Sequence, residues 1–284
     1  MSDVGLFGPD SITWRVHREP IVTVGGLRSL YLQALLPRAV AGVEQNSRYR
    51  KDPWGRFQHT ATYVATVIYG TTEQAERAGR RVRAIHAKMT ATDPRTGERF
   101  RVDDPDLLRW VHVTEVESFM EAALRGGLRL TGDEIDGYYA EQTRAAALVG
   151  LDPATVPASA AEVAGYYERM RPELALTVDS AATGLFLTLP PLPYGLGLTP
   201  VRGAALGVAA LAIGLLPTWA RRLYGLPGLP AADLITSANA LVLGRVLSAI
   251  PIEWISPLRR DALRRIAASE APSAVSETPA GTPG

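Results

Sequence analysis

No cysteine occurs among the 284 residues, which removes disulfides, thiolate nucleophiles, zinc-thiolate sites and iron-sulfur clusters together. Metal chemistry, if any, must use histidine or carboxylates. Charge of one sign is also missing: 30 basic against 29 acidic residues leave a formal net charge of +1, and the two signs are interspersed. No broad basic field exists to hold a phosphate backbone, so nucleic acid is not an expected partner. Long apolar runs are absent too. The longest, residues 203–216, falls short of the ~18 to 20 residues that cross a bilayer, and Pro217 ends it. It reads as a buried helix, with peripheral membrane contact as the second reading and no transmembrane segment. Residues 1–19 contain no apolar core behind a positive end and no small-residue cleavage site, so the expected compartment is the cytoplasm. Phosphate-loop, dinucleotide and nucleophile-elbow motifs do not occur either.

What remains is a composition with 46% hydrophobic residues, enough to bury a core, and patterning that is almost wholly helical. Apolar positions at helical spacing place a first helix over 27–45, which Pro37 should kink or divide. Asp52-Pro53 caps a second, running to Gly70. Thr71 or Thr72 caps the clearest helix, 72–90, with Glu73 and Glu76 early and Arg80, Arg81, Arg83 and Lys88 late, as the helix dipole favours. Turn residues 92–97 and alternation over 98–102 predict one short β-ribbon. Further helices are expected from Asp104-Pro105 to Leu124, from Thr131 to about Leu148, and near 159–170, 173–188, 201–215, 231–248 and 259–268. The fold class is therefore all-α: one domain of about ten helices over 24–268, preceded by an N-terminal arm, 1–23. Residues 269–284, rich in Ala, Pro, Ser and Thr, should form a disordered tail.

Without cysteine, the 4 histidines are the scarce resource. His59, His86 and His112 fall on three successive predicted helices. His59 shares a face with Arg56, Thr60, Tyr63 and Val67. His86 lies among Ala78, Val82, Ile85 and Met89, and His112 among Leu108, Val111, Glu115 and Phe119. A single histidine on an apolar face is usually a hydrogen-bonded core residue; three on neighbouring helices raise the weight of a metal or cofactor reading. A di-iron carboxylate bundle requires Glu three residues before His on two helices, and none occurs. The residue at that spacing is arginine each time, in Arg56-Phe-Gln-His59, Arg83-Ala-Ile-His86 and Arg109-Trp-Val-His112. Arginine is what haem propionates require, so haem fits better than di-iron.

At these residues the chain resembles the rubber oxygenase (latex-clearing protein) family and the related oxygenase that cleaves a side chain in mycophenolic acid biosynthesis. The likeness spans roughly residues 24–250. It rests on Gly26-Leu-Arg-Ser-Leu-Tyr-Leu-Gln33, Pro37, Asp52-Pro-Trp-Gly-Arg56, Thr60, Tyr69-Gly70, Val82-Arg-Ala-Ile-His86, Asp104-Pro-Asp-Leu-Leu-Arg-Trp-Val-His112 and Tyr138-Tyr139-Ala-Glu141. The resemblance implies a helical protein holding one b-type haem, with His86 as the proximal iron ligand; among the remaining histidines His112 is the fallback. It implies Arg56 and Thr60 on the oxygen-binding face, and an apolar alkene, isoprenoid-like, as the substrate attacked with dioxygen. A haem-binding sensor or carrier without turnover is the alternative. Where the rubber oxygenases have a lysine that caps iron, this sequence has His59, read as a distal hydrogen-bond donor. Their distal glutamate has no match at the same spacing; Glu44 lies in the right region. Those polymer-cleaving enzymes are exported, so a solid extracellular polymer is not the expected substrate here.

Overall fold

In the computed structural model, residues 3–47, 49–192, 196, 199–250 and 256–270 are described. Thirteen α-helices occur among them: α1 (Ile12–His17), α2 (Val22–Ala34), α3 (Pro37–Asn46), α4 (Pro53–Tyr69), α5 (Thr72–His86), α6 (Pro105–Arg125), α7 (Gly132–Leu148), α8 (Ala160–Met170), α9 (Val178–Thr188), α10 (Pro200–Gly214), α11 (Thr218–Leu223), α12 (Pro230–Ser248) and α13 (Pro257–Glu270). The strands β1 (Thr90–Thr92) and β2 (Arg99–Arg101) pair antiparallel, with Ala91 opposite Phe100, as a ribbon between α5 and α6.

The centre is the pair α2 and α6. Helix α6 buries residues around most of its circumference, among them Trp110, Val113, Val116, Phe119 and Met120. Gly25 lets α2 approach closely, since a Cβ there would sit 2.5 Å from the Ser118 carbonyl oxygen. Across this crossing Arg28, 1% exposed, donates to Glu117 at 2.5 and 3.0 Å, to Ser118 Oγ at 2.6 Å and to the Leu215 carbonyl at 2.8 Å. Tyr167 on α8 donates to the same carboxylate at 2.9 Å. A buried cation is tolerable only when paired and bonded in this way.

Pro37 divides the long first pattern into α2 and α3, because a prolyl ring would clash with the carbonyl four residues earlier. Helix α5 carries a capping box between Thr71 and Gln74. It ends at His86, a turn before the sequence pattern does, because Thr90–Thr92 leaves the helix to pair with β2. Residues 171–173 form a 3-10 turn, so α9 starts at Val178 and not near 173. Two six-residue helices, α1 and α11, escape a periodicity reading because each makes fewer than two turns. Helix α1 draws the segment read as an arm into a second apolar cluster of Phe7, Trp14, Ile68, Tyr69, Leu148 and Ile266, where Trp14 Nε1 donates to the Ile68 carbonyl at 3.0 Å. Helix α13 runs two residues past the predicted tail boundary to Glu270, and the rest of that predicted tail lies outside the described residues.

Helix α10 is only half buried. Ala209, Leu211 and Ala212 face inward while Val201, Leu206 and Ala210 face out, so the expectation of a buried helix over 203–216 holds for one face.

Candidate cofactor site

Helix α4 begins where the Asp52 carboxylate accepts from the Gly55 amide at 2.9 Å, with Pro53 in the first turn. Its two halves differ. Val67, Ile68 and Tyr69 are buried, whereas every residue from 56 to 62 is exposed. Exposure of consecutive residues on all sides of a helix means that this half stands clear of the body. It carries Arg56, His59 and Thr60. Thr60 Oγ1 donates to the Arg56 carbonyl at 3.1 Å, and the side chains of Arg56 and His59 have no hydrogen-bond partner among the described residues.

His86 is the last residue of α5, in the lowest turn of a helix that otherwise buries only Ala75 and Gly79. Its ring is half-buried, and Nδ1 is sealed inside with no hydrogen-bond partner among the described residues. Burial, and then the charge of Arg56, push its pKa down, with Asp103 opposing. Arg56 on α4, His86 on α5 and Asp103 before α6 are thus electrostatic neighbours.

On α6, His112 and Glu115 stand one turn apart with Phe119 one turn further along the same stripe. Burial pushes His112 down to about 4 and Glu115 up to about 7, so near neutrality the imidazole is uncharged and the carboxyl is about half protonated. Both groups are half-buried, and neither is hydrogen-bonded to another described residue. Tyr63, one turn beyond His59 and Thr60 on α4, is pushed up to about 12 by burial and by the nearby Glu115. Its neighbours include Arg83, one turn before His86. Helices α4, α5 and α6 thus bring Arg56 beside His86 and Asp103, and Tyr63 beside Glu115 and Arg83, while His59 and Thr60 lie on the exposed half of α4.

The three arginines do not behave alike. Arg83 donates to the Leu148 carbonyl at 2.5 Å, satisfying the end of α7, and Arg109 pairs with Asp106 at 2.6 Å. Only Arg56 keeps its guanidinium uncommitted and near a histidine. Trp110, 0% exposed, packs against Tyr166 and Tyr167 in the core and does not line the site. Glu44 is held by Arg50 at 2.6 Å and by the Tyr49 hydroxyl at 2.5 Å. Burial pushes that carboxyl up, but the bonds from Arg50, Tyr49 and Thr183 prevail and hold it below its ordinary value.

The fourth histidine is the residue that sequence reasoning missed. His17 ends α1, lies edge-on to Phe119 with centroids 4.9 Å apart, and has a sealed Nε2 with no hydrogen-bond partner among the described residues; burial pushes it down to about 4. A one-and-a-half-turn helix offers too few positions to reveal that face.

Comparison with known proteins adds three findings. A family model described as "ER-bound oxygenase mpaB/B'/Rubber oxygenase, catalytic domain" matches residues 14–249. Among solved structures, one described as "Structure of Latex Clearing Protein LCP in the closed state" is similar with a TM-score of 0.58 at 15% identity, covering 90% of this chain and 72% of that one. No curated protein matches. The structural likeness is one of fold, while the family model spans most of the chain from α1 to α12, including every candidate residue above. The chain therefore belongs to the ER-bound oxygenase mpaB/B'/rubber oxygenase family and carries its catalytic domain.

Proposed function

We propose that the chain is a haem b-dependent oxygenase in which His86 is the single protein ligand to iron, and that it acts with dioxygen on a small apolar, isoprenoid-like alkene. The state of His86 carries the reading. An imidazole binds a metal through the lone pair of its neutral ring. Burial and the Arg56 charge favour that neutral ring. A sealed nitrogen without a partner among the described residues costs about 1–3 kcal/mol, a deficit that His17 Nε2 shares; what sets His86 apart is the charge of Arg56 beside it.

The surroundings fit such a group. A macrocycle brings four nitrogens of its own, so one histidine suffices, in keeping with a chain whose described residues form no cluster of three or more His, Asp or Glu suited to an ion. The exposed half of α4 stands clear of the body with Arg56 near His86, an arrangement that would leave room for a flat ligand beside that histidine. Arg56 is a free cation at the rim, as a propionate or a reacting oxygen requires.

Bound there, a b-type haem would supply iron-centred redox chemistry with dioxygen. The chain's residues set the conditions. Arg56 presents N–H donors and a fixed positive charge that favour negative charge developing on oxygen. Thr60, its proton given to the Arg56 carbonyl, presents an accepting oxygen, and His59 on the same half of α4 is a further donor. Glu115, pushed up to about 7, holds or releases a proton near neutral pH beside the neutral His112. Membership in a catalytic-domain family favours turnover over a sensor or carrier.

Titration of the purified chain with haem, followed by oxygen uptake with a short isoprenoid alkene, tests this. A Soret band and alkene-dependent uptake are expected. Absence of the band would remove the haem reading, and a band without uptake would leave a carrier or sensor.

A further inference from the structure

Between residues 180 and 232 there is no Asp or Glu, and the charges present are Arg202, Arg221 and Arg222. This acid-free stretch spans most of α9, all of α10 and α11, and the start of α12. Helix α10 packs against both α9 and α12, and each of the three presents exposed apolar residues. On α9 these are Val178 and Leu185, 86% and 62% exposed; on α12 they are Leu234, Ile235, Val242 and Val246, 74%, 61%, 61% and 58% exposed. Soluble proteins seldom leave such a continuous apolar layer to water.

Directly beside it, one helical face away on α12, lies a cleft of about 870 Å³ between α12 and the end of α6. Leu124, Leu128 and Leu241 form its floor, and Arg125, Arg129 and Arg245 stand around it with Glu19 as the acid lining it. Arg125 is paired with Glu121 at 3.0 Å, whereas Arg129 and Arg245 have no partner among the described residues. Arg222, exposed on α11, likewise has none.

We infer that the α9, α10 and α12 layer docks on the surface of an anionic lipid bilayer, its apolar side chains entering the headgroup boundary while Arg129, Arg245 and Arg222 take lipid phosphates. Apolar faces edged by unpaired arginines match a bilayer in both layers of its chemistry. A second copy matches less well, because a two-fold contact through this face would bring the same arginines together with few carboxylates to neutralise them. The docking is of the surface kind, since no described helix is long and apolar enough to cross a membrane. Trp54 Nε1 donates to the Pro191 carbonyl at 3.1 Å, so the exposed Trp54 and Phe57 continue the apolar surface from the end of α9 to Arg56 and His59. That route for an apolar substrate rests on the oxygenase reading; the docking does not.

The test is co-sedimentation of the full chain with phosphatidylcholine vesicles, with and without phosphatidylglycerol. Binding to the anionic vesicles is expected, weakened about fivefold for each of Arg129→Ala, Arg222→Ala and Arg245→Ala, and abolished by Leu234→Glu with Val242→Glu. Tryptophan emission of Val242→Trp should shift to the blue on anionic vesicles, a readout that does not depend on the double variant folding. A parent chain left in the supernatant, arginine variants that bind as well as the parent, or an unshifted Val242→Trp would each overturn the inference. So would light scattering that shows a dimer dispersed by Leu234→Glu without any vesicle binding.

Discussion

Replacing Arg28 by Met removes the cation at the centre of the α2 and α6 crossing and separates two effects that a contact inventory would merge. The side chain makes four hydrogen bonds: two to Glu117, one to Ser118 Oγ and one to the Leu215 carbonyl at the end of α10. Methionine fills much of the volume but leaves Glu117, whose side chain is 16% exposed, with the Tyr167 hydroxyl as its remaining donor. Breaking a buried pair from one side costs about 3–5 kcal/mol, mostly the cost of the stranded charge. Against a typical total of ~5–15 kcal/mol that is a large fraction. Removing both charges, as Arg28→Met with Glu117→Leu, should recover most of the loss, since only the difference between a pair and an apolar contact then remains. Urea unfolding of the parent, both single variants and the double variant measures the coupling directly. A single Arg28→Met loss below about 1 kcal/mol, or a double variant whose loss is the sum of the singles, would refute the assignment of this network as one unit.

Gly79→Ala should destabilise by about 1–3 kcal/mol and loosen haem retention, because its Cβ would lie 2.6 Å from the Leu148 carbonyl and displace the helix that ends in His86; an unchanged melting temperature would contradict it. Glu115, at about 7 in the folded chain against an ordinary 4.5, keeps a proton that the unfolded chain gives up, so it loses stability as pH rises through that window. Glu115→Gln should therefore gain on the parent between those values by on the order of 2 kcal/mol, discounted for partial exposure, in denaturation curves taken at each pH; a pH-independent difference would argue against it. His17 and His112, both held near 4 against 6.5, act in the opposite direction, losing stability as pH falls from 6.5 toward 4, and His112→Phe should flatten that acid limb. His59→Ala should leave the resting absorption spectrum of the haem-loaded chain unchanged if His59 is a donor; a change from low to high spin would make it an iron ligand.

Much of the scaffold was legible because its signals are local. Asp52-Pro53, the Thr71 and Gln74 box and the Thr131 and Glu134 box each start a helix through bonds made within four residues. The end of α5 was not, because the pull of β2 on Thr90–Thr92 depends on a partner further along the chain. Helix α1 was missed because it is stabilised by tertiary contacts, among them Trp14 on Tyr69 at 5.0 Å and Glu141 accepting from the amide of Thr13 at 2.8 Å. At the candidate site, scarcity picked out His59, His86 and His112, and helical spacing put Glu115 beside His112. Spacing does place Asp106 within reach of Arg109, three residues on along α6, but it could not tell that Arg83 would be used by the Leu148 carbonyl on another helix, leaving Arg56 alone of the three without a partner among the described residues. Nor could it reveal burial, which is what suppresses the charges of His112 and Glu115.

The measurement that bears most directly on the central claim is haem retention by His86→Ala and by His112→Ala, each followed through the Soret band after gel filtration and checked for helical content by circular dichroism. The account predicts that His86→Ala keeps its helices and loses haem, while His112→Ala keeps both. Full retention with an unchanged spectrum in His86→Ala would contradict it, and loss confined to His112→Ala would move the ligand to α6.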